Sequence, residues 1–221
     1  MQLSFAWKVR IKLITIKNED SINKMKQAGE IVALVQIELK KVLEPGITLK
    51  ELDTIAEKLI RKCGAVPSFK GYGGFPGTLC LSVDEQVIHG IPSKRKLVQG
   101  EIVSIDAGAF YLGYHGDAAF TAAIGSISEE KARLIEVTEA SFYEGIKMAK
   151  AGNHLSDISH SIETVVLKAG FSVVKEFVGH GIGRELHEDP AIPNYGPPNR
   201  GPLLEPGMTL AIEPMVNMGS E

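Results

Sequence analysis

The chain has 221 residues, is 44% hydrophobic and 23% charged, and carries a formal net charge of −3. These are ordinary globular values for one large domain or two small ones, and the acidic balance argues against nucleic acid as a direct partner, because phosphate binding needs a clustered basic face. No apolar run reaches the length of a membrane span, so no membrane partner is expected either.

In chain order, the N-terminal stretch mixes bases into its apolar residues and lacks the continuous apolar core of a signal peptide. Val9, Ile11 and Leu13 alternate with Arg10 and Lys12, which suits a half-buried strand or a disordered extension. Asp20–Leu43 is predicted as a helix capped by Asp20 or Ser21, with Ile22, Met25, Ile31, Leu34, Val35 and Leu39 as its apolar positions and Pro45–Gly46 as its stop. Thr48 caps a second helix to about Lys62, with Glu51 completing a capping box and Cys63–Gly64 ending it. Cys63 and Cys80 lack CxxC spacing, so neither a disulfide framework nor a thiolate metal site is suggested. That usage fits a reducing compartment, and a cytoplasmic location is expected.

His89 lies at a strand end in QVIHGIP. Ser104–Asp117 reads as a hairpin turning at Tyr111–Leu112–Gly113, in a register that sets Ala109 against Tyr114 and Asp106 against Asp117. Cross-strand like charges destabilise a pair, so this placement demands a reason. Ser128–Lys150 is helical, Gly152 interrupts, a helix from about Leu155 to Lys168 ends at Gly170, and Phe171–Val178 is a strand.

The plan repeats. Leu49, Leu52, Leu59 and Ile60 match Leu155, Ile158, Val165 and Val166 at an offset of 106 residues. QGEIVSID (Gln99–Asp106) falls on PGMTLAIE (Pro206–Glu213) at 107, and both are a turn and a strand ending in an acid. Two copies are too few for a solenoid. An α+β fold with pseudo-twofold symmetry and its strands joined in one curved sheet accounts for them.

Asp106, Asp117 and Glu213 thus put three carboxylates on apolar strands, where unpaired charge is costly. Shared protons or intervening cations relieve that cost. Val103–Ala123 contains no Lys or Arg, which favours divalent ions. FVGHGIGRELHEDP adds His180 and His187, and its Gly179, Gly181 and Gly183 allow close backbone approach or positive φ. An oxygen-rich donor set with imidazole suits manganese, iron or cobalt better than a thiolate-type zinc site does. His154 and His160 read as structural or exposed, while His115 shares strand parity with Asp117 and stands between a supporting role and plain surface. Cys80 reads as wall rather than nucleophile. GYGGFPG breaks GxGxxG at Pro76, and neither HExxH nor GxSxG occurs.

VIHGIP, the Asp106/Asp117 hairpin ending in HGD, GHGIGRELHEDP and LAIEPM, in this order, resemble type I methionine aminopeptidases over the stretch from about Ile14 to the last residue. The resemblance implies a pseudo-twofold pita-bread fold (creatinase/aminopeptidase-like): a curved, mostly antiparallel sheet covered by helices. Residues 1–13 would be an N-terminal extension and 14–221 a single catalytic domain. By the same resemblance Asp106 ligates one metal ion, Asp117 bridges two, and His180 and Glu213 serve the other, the two divalent ions being cobalt, manganese, iron, zinc or nickel. His89 and His187 become substrate-contacting histidines outside the ligand set, and Tyr72, Phe75, Cys80 and Leu186 line the methionine pocket. The family's fifth ligand, a glutamate on a later strand, does not carry over to Glu221, so a fragment or truncated product lacking its last strands is expected.

The activity implied is removal of the N-terminal methionine from nascent polypeptides by dinuclear-metal-assisted amide hydrolysis, by a monomer, with nascent chains and the ribosome as partners. Glu213 would be the general base, His187 would bind the carbonyl oxygen and His89 the leaving amide nitrogen. Three readings compete: a proline-specific peptidase of the same fold, a truncated binding module that keeps most ligands without turnover, and, weakest, a purely structural protein, which leaves the facing aspartates unexplained.

Overall fold

A computed structural model of the chain describes residues 13–220. The strand expected over Val9–Leu13 lies outside the described residues except for Leu13, which is 79% exposed and not in a strand.

Helix α1 (Glu19–Val42) starts one residue earlier than expected, because Asn18 and not Asp20 caps it by accepting from the Ser21 backbone N–H at 2.9 Å. Asp20 falls instead in the first turn, where the helix dipole favours an acid. The buried stripe is Ala28, Ile31, Val32, Val35 and Leu39, at the spacing of one helix face. Ile22 and Leu34 lie off that stripe and are each 40% exposed. Helix α2 (Leu49–Lys62) carries the expected capping box between Thr48 and Glu51.

Strands β1 (Val66–Pro67), β2 (Leu79–Val83), β3 (Ile102–Tyr111) and β4 (Tyr114–Ala123) form an antiparallel sheet in which β3 pairs with the other three. The hairpin between β3 and β4 closes through two residues, Leu112 and Gly113, both at positive φ (51° and 83°), the conformation that matches strand twist. The register therefore differs from the expected one by two: Asp106 faces Ala119, and Asp117 faces Gly108. A shift of two keeps both aspartates on one face as diagonal neighbours, still within reach of each other.

Helices α3 (Glu129–Met148, capped by Ser128) and α4 (Leu155–Lys168) open the second half. Short strands follow: β5 (Ser172–Val173), β6 (Gly179–Gly181), β7 (Glu188–Ile192), β8 (Leu210–Ala211) and β9 (Val216–Asn217). The strand expected over Phe171–Val178 shrinks to β5, because exposed Lys175–Phe177 carry the chain out of the β5–β9 ladder. His180 lies instead inside β6, between β7 and β8. Every pairing is antiparallel, but the described ladders form three sheets where one continuous sheet was expected.

The repeat reappears in the hydrogen bonding. Gly46 N–H donates to Leu97 O at 2.7 Å, and Gly152 N–H to Leu204 O at 2.9 Å. Leu49 N–H to Arg95 O has its counterpart in Leu155 N–H to Pro202 O. The β1–β3 pair Val66↔Phe110 recurs in β5–β9 as Ser172↔Asn217. Each half has its own apolar core, the first around Leu39, Leu52 and Ile105 and the second around Ile158, Ile162 and Ile192. A small third cluster of Phe69, Cys80, Ile182 and Leu186 draws on both.

Helix α1 crosses β4 at Gly116, where a Cβ would sit 2.6 Å from the backbone of Ala28 and Gly29. Gly116→Ala is expected to lift the helix and destabilise the fold by about 1–3 kcal/mol. Gly29→Ala meets nothing within 4 Å and is expected to stabilise by about 0.5–1 kcal/mol, as in other open helix positions. Denaturant titration of both variants measures the contrast.

Candidate metal centre

Each half contributes two donors. Asp106 and Asp117 project from adjacent strands of the first half, with glycine opposite Asp117. In the second half, His180 needs its glycine neighbours: a Cβ on Gly179 would lie 2.3 Å from Ala211 O, and one on Gly181 2.2 Å from Asp189 O. The glycines of this segment thus serve close approach, and none of Gly179, Gly181 and Gly183 has positive φ. Glu213 follows β8 by two residues and is held by Asn194, whose Nδ2 donates to the Glu213 backbone carbonyl at 2.7 Å.

Donor atoms of Asp117, His180 and Glu213 lie within 4.8 Å of one another. Asp106 joins them from the neighbouring strand, close enough for the charge of Asp117 to act on its carboxyl. Burial, with the charges of Asp117 and Glu213, holds the Asp106 carboxyl well above the usual range. Burial and Glu213 push Asp117 up to about 7.

His180 Nδ1–H donates to Gly181 O at 2.8 Å, which fixes the tautomer and turns the Nε2 lone pair to the carboxylates. Nε2 is 3.0 Å from Glu213 Oε1 and 3.9 Å from Asp117 Oδ2. Burial opposes a proton on this imidazole, but the Glu213 and Asp117 carboxylates outweigh it and raise the pKa. Glu213 Oε1 is buried and, although close to Nε2, makes no hydrogen bond of acceptable geometry. Acceptors converging on one point, one of them without a donor, fit a divalent cation with mixed oxygen and nitrogen ligands.

The remaining expected residues surround this cluster. His187 packs its ring 4.2 Å from that of His180 and shares a 2.8 Å hydrogen bond between Nδ1 and the Tyr72 hydroxyl. Burial and His180 lower its pKa. His89 is not at a strand end: the chain doubles back on β2 there, with Gly90 N–H bonded to Ser82 Oγ, and His89 takes φ 58°. A cavity of about 250 Å³ is lined by His89, His180, His187 and Glu213. Cys80 and Leu186 are buried in the cluster of Phe69 and Ile182, with Phe75 packed against it, while Tyr72 is 48% exposed beside His187. Burial, with the three carboxylates, pushes the Cys80 thiol up, so it is wall rather than nucleophile. His115 is half-buried, bonded to Ser68 Oγ and stacked near Phe110; His154 and His160 bond loop carbonyls away from the centre.

Sequence reasoning missed Phe69 and Ile182 in the apolar wall, and Phe177 and Met215 in the cavity. Phe177 faces His89 edge-on at 5.9 Å, from a segment read as plain strand.

Aspartates in an unfolded chain titrate near about 3.9, whereas Asp117 here titrates near about 7. Folded protein therefore binds the extra proton between those values, and the stability it brings is lost as pH rises through the upper one. Metal-free protein is expected to lose melting temperature between about pH 5 and about pH 8. Saturating Mn²⁺ is expected to abolish that loss. Thermal melts with and without chelator measure both, and a flat chelator profile would contradict the assignment.

Residues 23–220 match the model of metallopeptidase family M24. The chain is 58% identical over 208 residues to methionine aminopeptidase 1 of Bacillus subtilis, covering 94% of this chain and 84% of that protein. It is 56% identical over 209 residues to the methionine aminopeptidase of Clostridium acetobutylicum, with the same coverage. The crystal structure of methionine aminopeptidase from Thermotoga maritima superposes with a TM-score of 0.92 at 48% identity, over 94% of this chain and 84% of that one. The architecture is thus the pseudo-twofold α+β pita-bread fold that the motifs implied. A family match running through both halves, together with these identities, establishes that the chain belongs to metallopeptidase family M24.

Proposed function

We propose that the chain removes the N-terminal methionine from newly made polypeptides by metal-assisted amide hydrolysis. The observation that carries this reading is the meeting of Asp106, Asp117, His180 and Glu213 at a cavity also lined by His89 and His187, with Glu213 Oε1 buried and unbonded next to His180 Nε2. Membership of a metallopeptidase family and 58% identity to a methionine aminopeptidase support it.

Asp106, Asp117, His180 and Glu213 would hold two divalent ions, of the manganese, iron or cobalt kind by their oxygen-rich donor set. Ions bound there supply Lewis acidity, which lowers the pKa of water and polarises a carbonyl. Residues 14–221 would act as one catalytic unit, since each half brings two of the four donors.

The rest is work for side chains. With the Tyr72 hydroxyl donating to His187 Nδ1, the imidazole proton sits on Nε2, ready to donate to the scissile carbonyl oxygen as negative charge develops. A lowered pKa keeps that imidazole neutral. Glu213 takes a proton from the attacking water as general base. His89, on the same cavity, hydrogen-bonds the amide nitrogen of the leaving peptide. Phe75, Cys80 and Leu186, which pack with Phe69 and Ile182, together with Tyr72 beside His187, would line the site for the methionine side chain, since apolar and aromatic faces with one sulfur suit a thioether.

Protein supplied with Mn²⁺ is expected to release methionine from Met-Ala-Ser and to leave an Xaa-Pro dipeptide intact. Chromatography of both digests tests this, and Xaa-Pro cleavage without methionine release overturns it. His187→Ala is expected to lower kcat by about 10²–10³ with little change in KM, as for loss of one oxyanion donor. Asp117→Asn is expected to lower kcat at saturating metal by at least about 10²; full kcat there would sink its role.

A further inference from the structure

Lys17 lies in the N-terminal segment before α1, outside every motif, and the mechanism above does not use it. Its side chain is nevertheless 4% exposed, which for an ammonium demands partners. Nζ donates to Glu188 Oε2 at 2.5 Å and to Thr15 O at 3.1 Å. The backbone N–H of Lys17 donates to Gly207 O at 2.8 Å. Lys17 and Glu188 are 171 residues apart in the chain.

The slot that receives Lys17 is built tightly. A Cβ on Gly183 would lie 2.4 Å from Glu188 Oε1 and 2.6 Å from Lys17 Cε, and one on Gly207 would lie 2.6 Å from Lys17 O. Glu188 also accepts from the Glu185 backbone N–H through Oε1, at 3.3 Å, and so closes the loop that contains Leu186 and His187. The other end of that loop is pinned by His115 N–H to Gly183 O at 2.8 Å. Leu186 is locked in the apolar wall, Tyr72 holds His187 Nδ1, and the next residue along is Glu188.

We propose that Lys17 is a positioning residue for His187: its ammonium holds the Glu188 carboxylate, and through it the 183–188 loop, in the working geometry. Without the lysine a nearly buried carboxylate beside His187 is left unpaired and turns to find another partner. The inference rests on the reading of His187 as an oxyanion donor.

The test compares wild type, Lys17→Met, Lys17→Arg, Glu188→Gln and the double variant Lys17→Met/Glu188→Gln. kcat and KM are measured on Met-Ala-Ser with Mn²⁺, and the His187 imidazole nitrogen resonances are recorded metal-free. Lys17→Met is expected to lose about 10–100-fold in kcat, the range for partners that orient functional groups, with KM within about threefold and the His187 resonances displaced. Lys17→Arg, which keeps the charge, is expected to stay within about fivefold of wild type, and the double variant, which lacks the clamp but buries no unpaired charge, is expected to recover only part of the loss. Should Lys17→Met fail to fold, Glu188→Gln carries the same expectation from the other side of the pair. The proposal is overturned if Lys17→Met keeps wild-type kcat with unmoved His187 resonances, or if the double variant is as impaired as Lys17→Met. Wild type that releases no methionine would defeat the functional reading alone, and the resonances would still decide the positioning role.

Discussion

Electrostatic repulsion among Asp106, Asp117 and Glu213 is the constraint that the architecture must absorb. Among the described residues no lysine or arginine pairs with any of the three, and each is fixed by backbone that has little freedom to retreat. Asp106 sits mid-strand between β2 and β4, Asp117 is carried by the same hairpin, and Glu213 is tethered through Asn194. Holding like charges together in a region of low dielectric costs free energy that two apolar cores must offset. An enzyme of this kind gains from that cost, because donors that cannot relax apart are already arranged for cations.

The two halves meet this constraint by different means from one scaffold. The cap, the following bridge and the edge pairing are the same in both, as shown by the matched bonds at Gly46 and Gly152 and the matched registers of β1 and β5. Beyond that the halves diverge. The first runs a long hairpin and supplies carboxylates diagonally across it; the second breaks its strands with glycines, so that an imidazole can enter between two close backbones. One half is built on extended pairing and the other on tight approach.

Much of this was legible in the residues. The capping box at Thr48–Glu51, the four helices and the repeat rest on local signals with known chemistry, and they agree with the structure to within a residue or two. The convergence of the acids was also legible, because charge on an apolar strand needs an explanation. The hairpin register was not. Leu112–Gly113 lacks the Asn–Gly signature of a two-residue turn, and leucine at positive φ is a poor sequence signal. Short strands such as β6 and β8 leave too few residues for any periodicity, and contacts such as Phe69 with Ile182, or Lys17 with Glu188, join segments far apart in the chain with no local trace.

The small cluster of Phe69, Cys80, Ile182 and Leu186 has a meaning beyond shaping a pocket. It is where the first half leans on the second, and the four ligand candidates are divided between those same halves. Adding or deleting one methyl group at this seam would therefore slide two oxygen donors against an imidazole and a third carboxylate. Preference among ions of different radius depends on such spacings. An apolar joint outside the candidate ligand set would then tune the spacing that an incoming ion meets.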